Sequence, residues 1–150
     1  MIEIMVADVS DAEKLSALEI RSESYWGYGT DFMEKFKEHY LITESFISSN
    51  PTYILKNNDD FIGFYGLCIT CEAAALEYLF IEPDYIGQGF GKKLWNHALT
   101  ECRNRKIREF TIVTSPDARN FYLKLGAVFY KSIDSLIAKG KKTPMLIFRL

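Results

Sequence analysis

The segment Leu79-Phe80-Ile81-Glu82-Pro83-Asp84-Tyr85-Ile86-Gly87-Gln88-Gly89-Phe90-Gly91-Lys92-Lys93-Leu94 constrains the fold more than any other stretch of the chain. An apolar, strand-like run ends at Glu82-Pro83, glycines recur at 87, 89 and 91, and a helical pattern begins. Glycines at such a junction let the backbone approach a ligand closely and turn its amides outward. The helix start adds free N–H groups and the positive end of a dipole. The segment therefore predicts an anion cradle suited to phosphate. Lys92 and Lys93 oppose the helix dipole by ~0.3–1 kcal/mol each, an imbalance that a docked polyanion reverses. A Walker loop would need Gly-Lys-Ser/Thr after four spacer residues, and no hydroxyl follows Lys92-Lys93. A dinucleotide fingerprint needs Gly-x-Gly-x-x-Gly, one residue longer than the spacing present.

The elements around this junction can be read in order. Ile2 to Val6 alternates as a strand, and Ser10-Asp11-Ala12-Glu13 has the pattern of a capping box opening a helix to about Ser24. After Tyr25-Trp26-Gly27-Tyr28-Gly29, Thr30 or Asp31 caps a second helix, and Thr43 opens a short third turn. Tyr53 to Lys56 and Phe61 to Cys71 form a hairpin around Asn57-Asn58-Asp59-Asp60, and Ala74 to Ile81 is the next strand. Phe90, Leu94, Trp95, Ala98, Leu99 and Cys102 make a helical stripe. Phe110 to Val113 is a strand. Ser115-Pro116-Asp117 starts a helix carrying Ala118, Phe121, Tyr122 and Leu125 on one face, with Gly126 as its left-handed stop. Val128 to Tyr130 and Met145 to Leu150 are the last strands, separated by a loop over 132–143. This order predicts one α/β domain over residues 1–150 with a mixed sheet, antiparallel early and parallel at one late crossover.

Composition narrows the function classes. Of the 150 residues, 48% are hydrophobic and 25% charged, ordinary for a globular chain, and no apolar run approaches a membrane span. The start, Met1-Ile2-Glu3-Ile4, lacks a basic segment before an apolar stretch, so a cytoplasmic protein is expected. The net charge of −2 points to neither nucleic acid nor membrane as partner. Its distribution is uneven: residues 1–60 carry 5 Lys/Arg and 12 Asp/Glu, whereas residues 61–150 carry 13 and 8. An acidic first part suits an amine, and a basic second part suits an anion. Cys68, Cys71 and Cys102 are too few for a disulfide framework, and Cys68-Ile69-Thr70-Cys71 has no second pair or nearby histidine to complete a metal site. No metal is expected.

Two blocks carry a family resemblance. Gly89 and Gly91 fit the Arg/Gln-x-x-Gly-x-Gly/Ala motif of the GNAT superfamily of acyl-CoA N-acyltransferases, with Ile86 at its Arg/Gln position. Asp117-Ala118-Arg119-Asn120-Phe121-Tyr122-Leu123-Lys124-Leu125-Gly126-Ala127 is similar to the family's Asn-Ala-x-x-Phe-Tyr-x-Lys-x-Gly-Phe/Ala segment. One helix and one strand separate the blocks, as in that family. The resemblance covers residues 53–150 well, and the first 50 residues chiefly by element order. Tyr25-Trp26-Gly27-Tyr28 and Leu76-Glu77-Tyr78-Leu79-Phe80 resemble small, mostly uncharacterised bacterial members.

The resemblance implies a mixed, mostly antiparallel sheet of about seven strands flanked by helices on both faces. It implies acetyl-CoA as cofactor, with the pantetheine arm along Leu79, Phe80 and Ile81 and the pyrophosphate on the amides of Gly87, Gln88, Gly89, Phe90 and Gly91. Lys92 is the first basic residue placed to meet phosphate, and Asp117 and Tyr122 border the same site. The family often uses a tyrosine at the position of Tyr122 to protonate the departing thiolate. The backbone N–H of Phe80 or Ile81 is the natural donor to the acyl oxygen. Glu77 is the candidate base: a carboxylate in an apolar strand costs free energy unless paired or used, and alternation puts it on one face with Leu79 and Ile81. Tyr25, Trp26 and Tyr28 are candidate walls of the acceptor site, and His97 is expected on the surface.

The expected reaction is transfer of an acetyl group to an amine of a small molecule or peptide, by direct attack in a ternary complex. Two alternatives belong to other classes. One is a noncatalytic acyl-CoA-binding regulatory module on the same fold. The other is a nucleic-acid-binding domain using Arg103, Arg105, Lys106 and Arg108, a cluster already explained by the favourable placing of cations at a helix end. A homodimer is compatible with the sequence, and no residue marks its interface.

Overall fold

The computed structural model describes residues 1–150, and one seven-stranded sheet organises them. The elements are β1 (Ile2–Val6), α1 (Ala12–Ser24), α2 (Thr30–His39), α3 (Glu44–Ser49), β2 (Thr52–Asn57), β3 (Asp60–Ile69), β4 (Ala74–Ile81), α4 (Phe90–Asn104), β5 (Glu109–Val113), α5 (Pro116–Lys124), β6 (Val128–Asp134) and β7 (Lys142–Arg149). The strand order is β1-β2-β3-β4-β5-β7-β6. Every neighbouring pair is antiparallel except β4 with β5, which are parallel because α4 crosses over between them.

Apolar patterning assigns the helices to the two faces. Leu94, Trp95, Ala98, Leu99 and Cys102 of α4 are buried at helical spacing and join Leu76, Phe110, Ile112 and Tyr122 in the larger core. Each large side chain buried there contributes on the order of 1.5–3 kcal/mol of transfer free energy. Leu15 and Leu18 of α1 and Ile47 of α3 pack on the opposite face against Ile54 and Phe64. Met33 and Phe36 of α2 meet Ile137, from the β6–β7 loop, in a third small cluster.

The structure corrects several local expectations. The capping box lies two residues earlier than Ser10–Glu13. Asp8 caps a single 3₁₀ turn over Val9–Asp11, and Asp11 returns the bond to the Asp8 N–H at 2.9 Å. The loop over 132–143 is mostly hairpin, because Ser132 to Asp134 pair with Lys142 to Pro144. His97 does not stand free on the surface: its Nδ1 lies 2.7 Å from the Tyr65 hydroxyl, and its ring packs 4.7 Å from that of Tyr53. Burial lowers its pKa.

A bulge changes the reading of β4. Gly66 pairs with Tyr78 but Leu67 pairs with Leu76, so Glu77 is the extra residue. Leu76, Leu79 and Ile81 face the core beneath α4, whereas Tyr78 and Phe80 face α1. Glu77 therefore does not share a face with Leu79 and Ile81. Its charge acts on Glu19, Tyr40 and Tyr78, on the α1–α2 side.

Candidate active site

The site begins where the sheet comes apart. β4 and β5 share a single ladder pair, Ala75 with Thr111, and diverge beyond it. The edge of β4 from Leu76 to Ile81 thus has no strand partner on that side. Antiparallel bonding alternates, and Glu82 donates to Ile62 of β3 at 2.8 Å. Two residues earlier, Phe80 is directed to β3 as well. Leu79 and Ile81 turn their N–H and C=O groups into the open seam. Of the two donors expected for an acyl oxygen, Phe80 is spent within the sheet and Ile81 is free.

At the end of this edge lies the glycine loop. Gly87 and Gly89 have φ of +83° and +87°, the left-handed region in which a side chain is strained. A Cβ at either would meet open space, so φ and access to the backbone, rather than crowding, explain glycine there. The N–H groups of Gly87, Gln88, Gly89, Phe90, Gly91 and Lys92 have no backbone acceptor, and the first bond of α4 is Lys93 N–H to the Gly89 carbonyl at 3.1 Å. These six successive donors lie at the positive end of a 15-residue helix. At Gly91 the reason differs: a Cβ would stand 3.1 Å from the ring of Phe121, where α4 meets α5.

The seam and the loop open into a cleft of about 550 Å³. Leu79, Phe80, Ile81, Gly87, Gly89, Gly91, Lys92, Asp117 and Tyr122 all line it. Gln88 and Phe90 do not line it: the Gln88 side-chain amide donates to the Asp84 carbonyl at 3.0 Å and Phe90 packs on Tyr85, so only their free backbone N–H groups belong to the expected cradle. The Tyr122 ring is buried between Trp95 and Phe121. Burial, and then the charge of Glu23, raises its pKa above the ordinary phenol value.

A second cavity of about 190 Å³ lies on the α1–α2 side of the seam. The two spaces share Glu23, Leu76, Glu77, Phe80, Val113, Thr114 and Ser115, so one wall separates and joins them. Glu77 borders both, and burial raises its pKa. Glu23, near the end of α1, also borders both; burial and then Asp117 push it up to about 7. Tyr28 lines the second cavity and its hydroxyl donates to Asp117, which lines the first. Trp26 borders the cofactor-sized cleft and not the second cavity. Tyr25 borders neither; it is more than half exposed and stacks edge-on with Trp26, so its expected place in an acceptor wall is not realised.

Sequence reasoning missed Glu19 and Glu23. Glu19 lies in the buried stripe Leu15, Leu18, Glu19, Ser22 of α1, and a carboxylate in such a stripe was the available signal. Its Oε1 accepts from the Ile42 N–H at 3.1 Å, and burial pushes its pKa up to about 9.

Comparison with known proteins bears on this geometry. The model of the acetyltransferase (GNAT) domain family matches residues 9–140. An uncharacterized N-acetyltransferase, ycf52, of Gracilaria tenuistipitata var. liui is 31% identical over 93 residues, which is 61% of this chain and 51% of that protein. The chain spans about half the length of the curated relatives it matches. Among solved structures, the PaiA N-acetyltransferase of Thermoplasma acidophilum in complex with coenzyme A superposes with a TM-score of 0.81. It is 21% identical, and the alignment covers 100% of this chain and 99% of that one. The ribosomal-protein-S18-alanine N-acetyltransferase of Escherichia coli gives 0.71 at 17% identity, covering 98% and 91%. At these identities the likeness is one of fold. No helix is long and apolar enough to cross a membrane.

Proposed function

Because the chain belongs to the acetyltransferase (GNAT) domain family, we propose that it transfers an acetyl group from acetyl-CoA to a primary amine, by direct attack in a ternary complex. One observation carries this reading: six consecutive unpartnered amides, Gly87 to Lys92, continue an unpaired strand edge. That combination suits a ligand with a pyrophosphate at one end and an amide-bearing arm at the other. The residues fit the group. Gly87 and Gly89 leave the approach open, Lys92 adds a cation, and Leu79 and Ile81 offer bonding groups to the arm.

Bound there, acetyl-CoA would supply an acetyl group activated as a thioester, with its thiol as the leaving group. The chain's residues handle charge and protons. The amine attacks only when neutral, so its ammonium proton passes to the carboxylates at the junction, Glu77 and Glu23. A carboxyl with a pKa of about 7 is well matched to this transfer near neutrality. The N–H of Ile81 stabilises the negative charge that develops on the acyl oxygen. Tyr122, held protonated by burial, stabilises the departing thiolate by a hydrogen bond from its hydroxyl, and the sulfur then takes its proton from solvent.

Calorimetric titration with CoA, acetyl-CoA, desulfo-CoA and a nicotinamide dinucleotide tests the cofactor assignment. Micromolar binding of the CoA series with the dinucleotide silent is expected. Absence of CoA binding by folded protein overturns the reading. A free-thiol assay with a panel of amines then separates an enzyme from a noncatalytic acyl-CoA-binding module: thiol release that depends on the amine is expected.

A further inference from the structure

We propose that the acceptor is a compact diamine-like molecule, an attacking amine with a second cationic group and no carboxylate, whose distal end is read by the buried Glu19 side chain. The inference rests on the acetyl-transfer reading and names the substrate class for that same site.

The second cavity is defined by what lines it. Three carboxyl side chains border it, Glu19, Glu23 and Glu77, and no lysine, arginine or histidine does. Six aromatic side chains line it as well: Tyr28, Phe32, Phe36, Tyr40, Tyr78 and Phe80. Aromatic faces and carboxylates both favour cations and disfavour anions. An amino acid would bring a carboxylate with no cation to pair it, a costly burial.

The three carboxyl groups differ in position. Glu23 and Glu77 stand at the wall shared with the cofactor cleft, where the attacking nitrogen must be. Glu19 borders the second cavity alone. It is fully buried, its Oε1 is held by the Ile42 N–H, and its Oε2 has no partner at all. A buried polar atom without a partner is rare in a folded chain and costs free energy until something bonds to it. In this cavity the missing partner is a donor on the acceptor's far end, and a second ammonium supplies both the donor and the charge that ionises Glu19. Glu19 lies close enough to Glu23 and Glu77 for their charges to act on it, so a short spacer is enough to join the two cationic groups of the acceptor.

Three acceptors of equal length isolate the distal group: butane-1,4-diamine, butylamine and 4-aminobutanoate, each assayed for thiol release from acetyl-CoA. The diamine is expected to exceed both others in kcat/KM by about tenfold or more, the scale of one hydrogen bond to a charged group. Glu19→Gln keeps the acceptor for Ile42 and is expected to bring the diamine within about threefold of butylamine. A folded wild-type protein that acetylates butylamine or 4-aminobutanoate as well as the diamine overturns the proposal and leaves acetyl transfer standing. So does a short peptide with a free α-amine that is used better than the diamine. An undiminished diamine preference in Glu19→Gln overturns the role of Glu19. Transfer to none of these amines, with acetyl-CoA bound, overturns the proposal; thiol release that depends on no amine of the wider panel overturns the acetyl-transfer reading as well.

Discussion

The Tyr28 hydroxyl donates to the carboxylate of Asp117, and this bond ties the loop after α1 to the first turn of α5. Tyr28 belongs to the wall of the smaller cavity and Asp117 to that of the larger cleft. The bond therefore spans the boundary between the two spaces. Burial and Asp117 together raise the Tyr28 pKa, so the phenol stays a donor over the physiological range. Tyr28→Phe keeps the ring stacked on Phe32 and removes only the bond. It is expected to cost about 1 kcal/mol of stability and to raise the acceptor KM several-fold, about the value of one hydrogen bond. Thermal melts and initial-rate kinetics read both effects. An unchanged acceptor KM would show that the bond does not shape the cavity.

Gly89 is both the left-handed N-cap of α4 and the middle of the row of free amides. Gly89→Glu places a carboxylate among the free donors proposed to hold phosphate. CoA affinity is expected to fall at least tenfold, about 1.4 kcal/mol, by calorimetry on a variant whose circular dichroism is unchanged. Equal affinity in the folded variant would remove the anion-cradle argument.

Tyr122→Phe deletes one oxygen from a side chain whose ring packs against Trp95 and Phe121. The fold and CoA binding are expected to survive. If the hydroxyl donates a hydrogen bond to the departing thiolate, kcat falls by roughly 10²-fold or more, in the range typical of losing one donor to a developing charge. A fall of less than threefold would reduce Tyr122 to packing.

The raised carboxyl pKa values set two pH dependences. For the rate, Glu23 must be ionised to take a proton. The kcat/KM is expected to rise with pH to a plateau above about 7, and Glu23→Gln to abolish that limb. A limb unchanged in the variant would reassign it, Glu77→Gln being the next substitution to profile.

For stability the sign is opposite. Glu19 ionises near 4.5 when unfolded and near 9 when folded, so the folded chain holds the extra proton between these values. Its contribution is complete below pH 4.5 and is lost progressively as pH rises to about 9. The Tm is expected to decline across that window, and Glu19→Gln to flatten the decline and melt higher than wild type at pH 9. Parallel curves for the two proteins would contradict the buried, protonated state of Glu19.

The parts of the site that the sequence made legible are those encoded by neighbours in the chain. Gly87, Gly89 and Gly91 announce the loop because backbone geometry and access demand glycine locally. Ser115-Pro116-Asp117 announces α5 for a similar reason. Long-range geometry was not legible. The face of Glu77 depends on a bulge fixed by the pairing of Gly66 and Leu67 on another strand. The burial of Glu19 depends on Ile42, 23 residues away, and His97 is drawn inward by Tyr65, 32 residues away. Alternation assigned Glu77 to the wrong face because a bulge has no signature of its own in β4.

The single ladder pair between β4 and β5 also has a mechanical meaning. Four strands lie on one side of that seam and three on the other, joined there by Ala75–Thr111 and by the packing of α4 and α5. A ligand bonded to Leu79 and Ile81 and held at the start of α4 becomes a structural member of the sheet, carrying load between two halves that otherwise share little backbone. Occupancy and rigidity are then the same event. On the proposed reading, CoA is expected to slow hydrogen exchange of the β4 and β5 amides, and its release to reverse that protection.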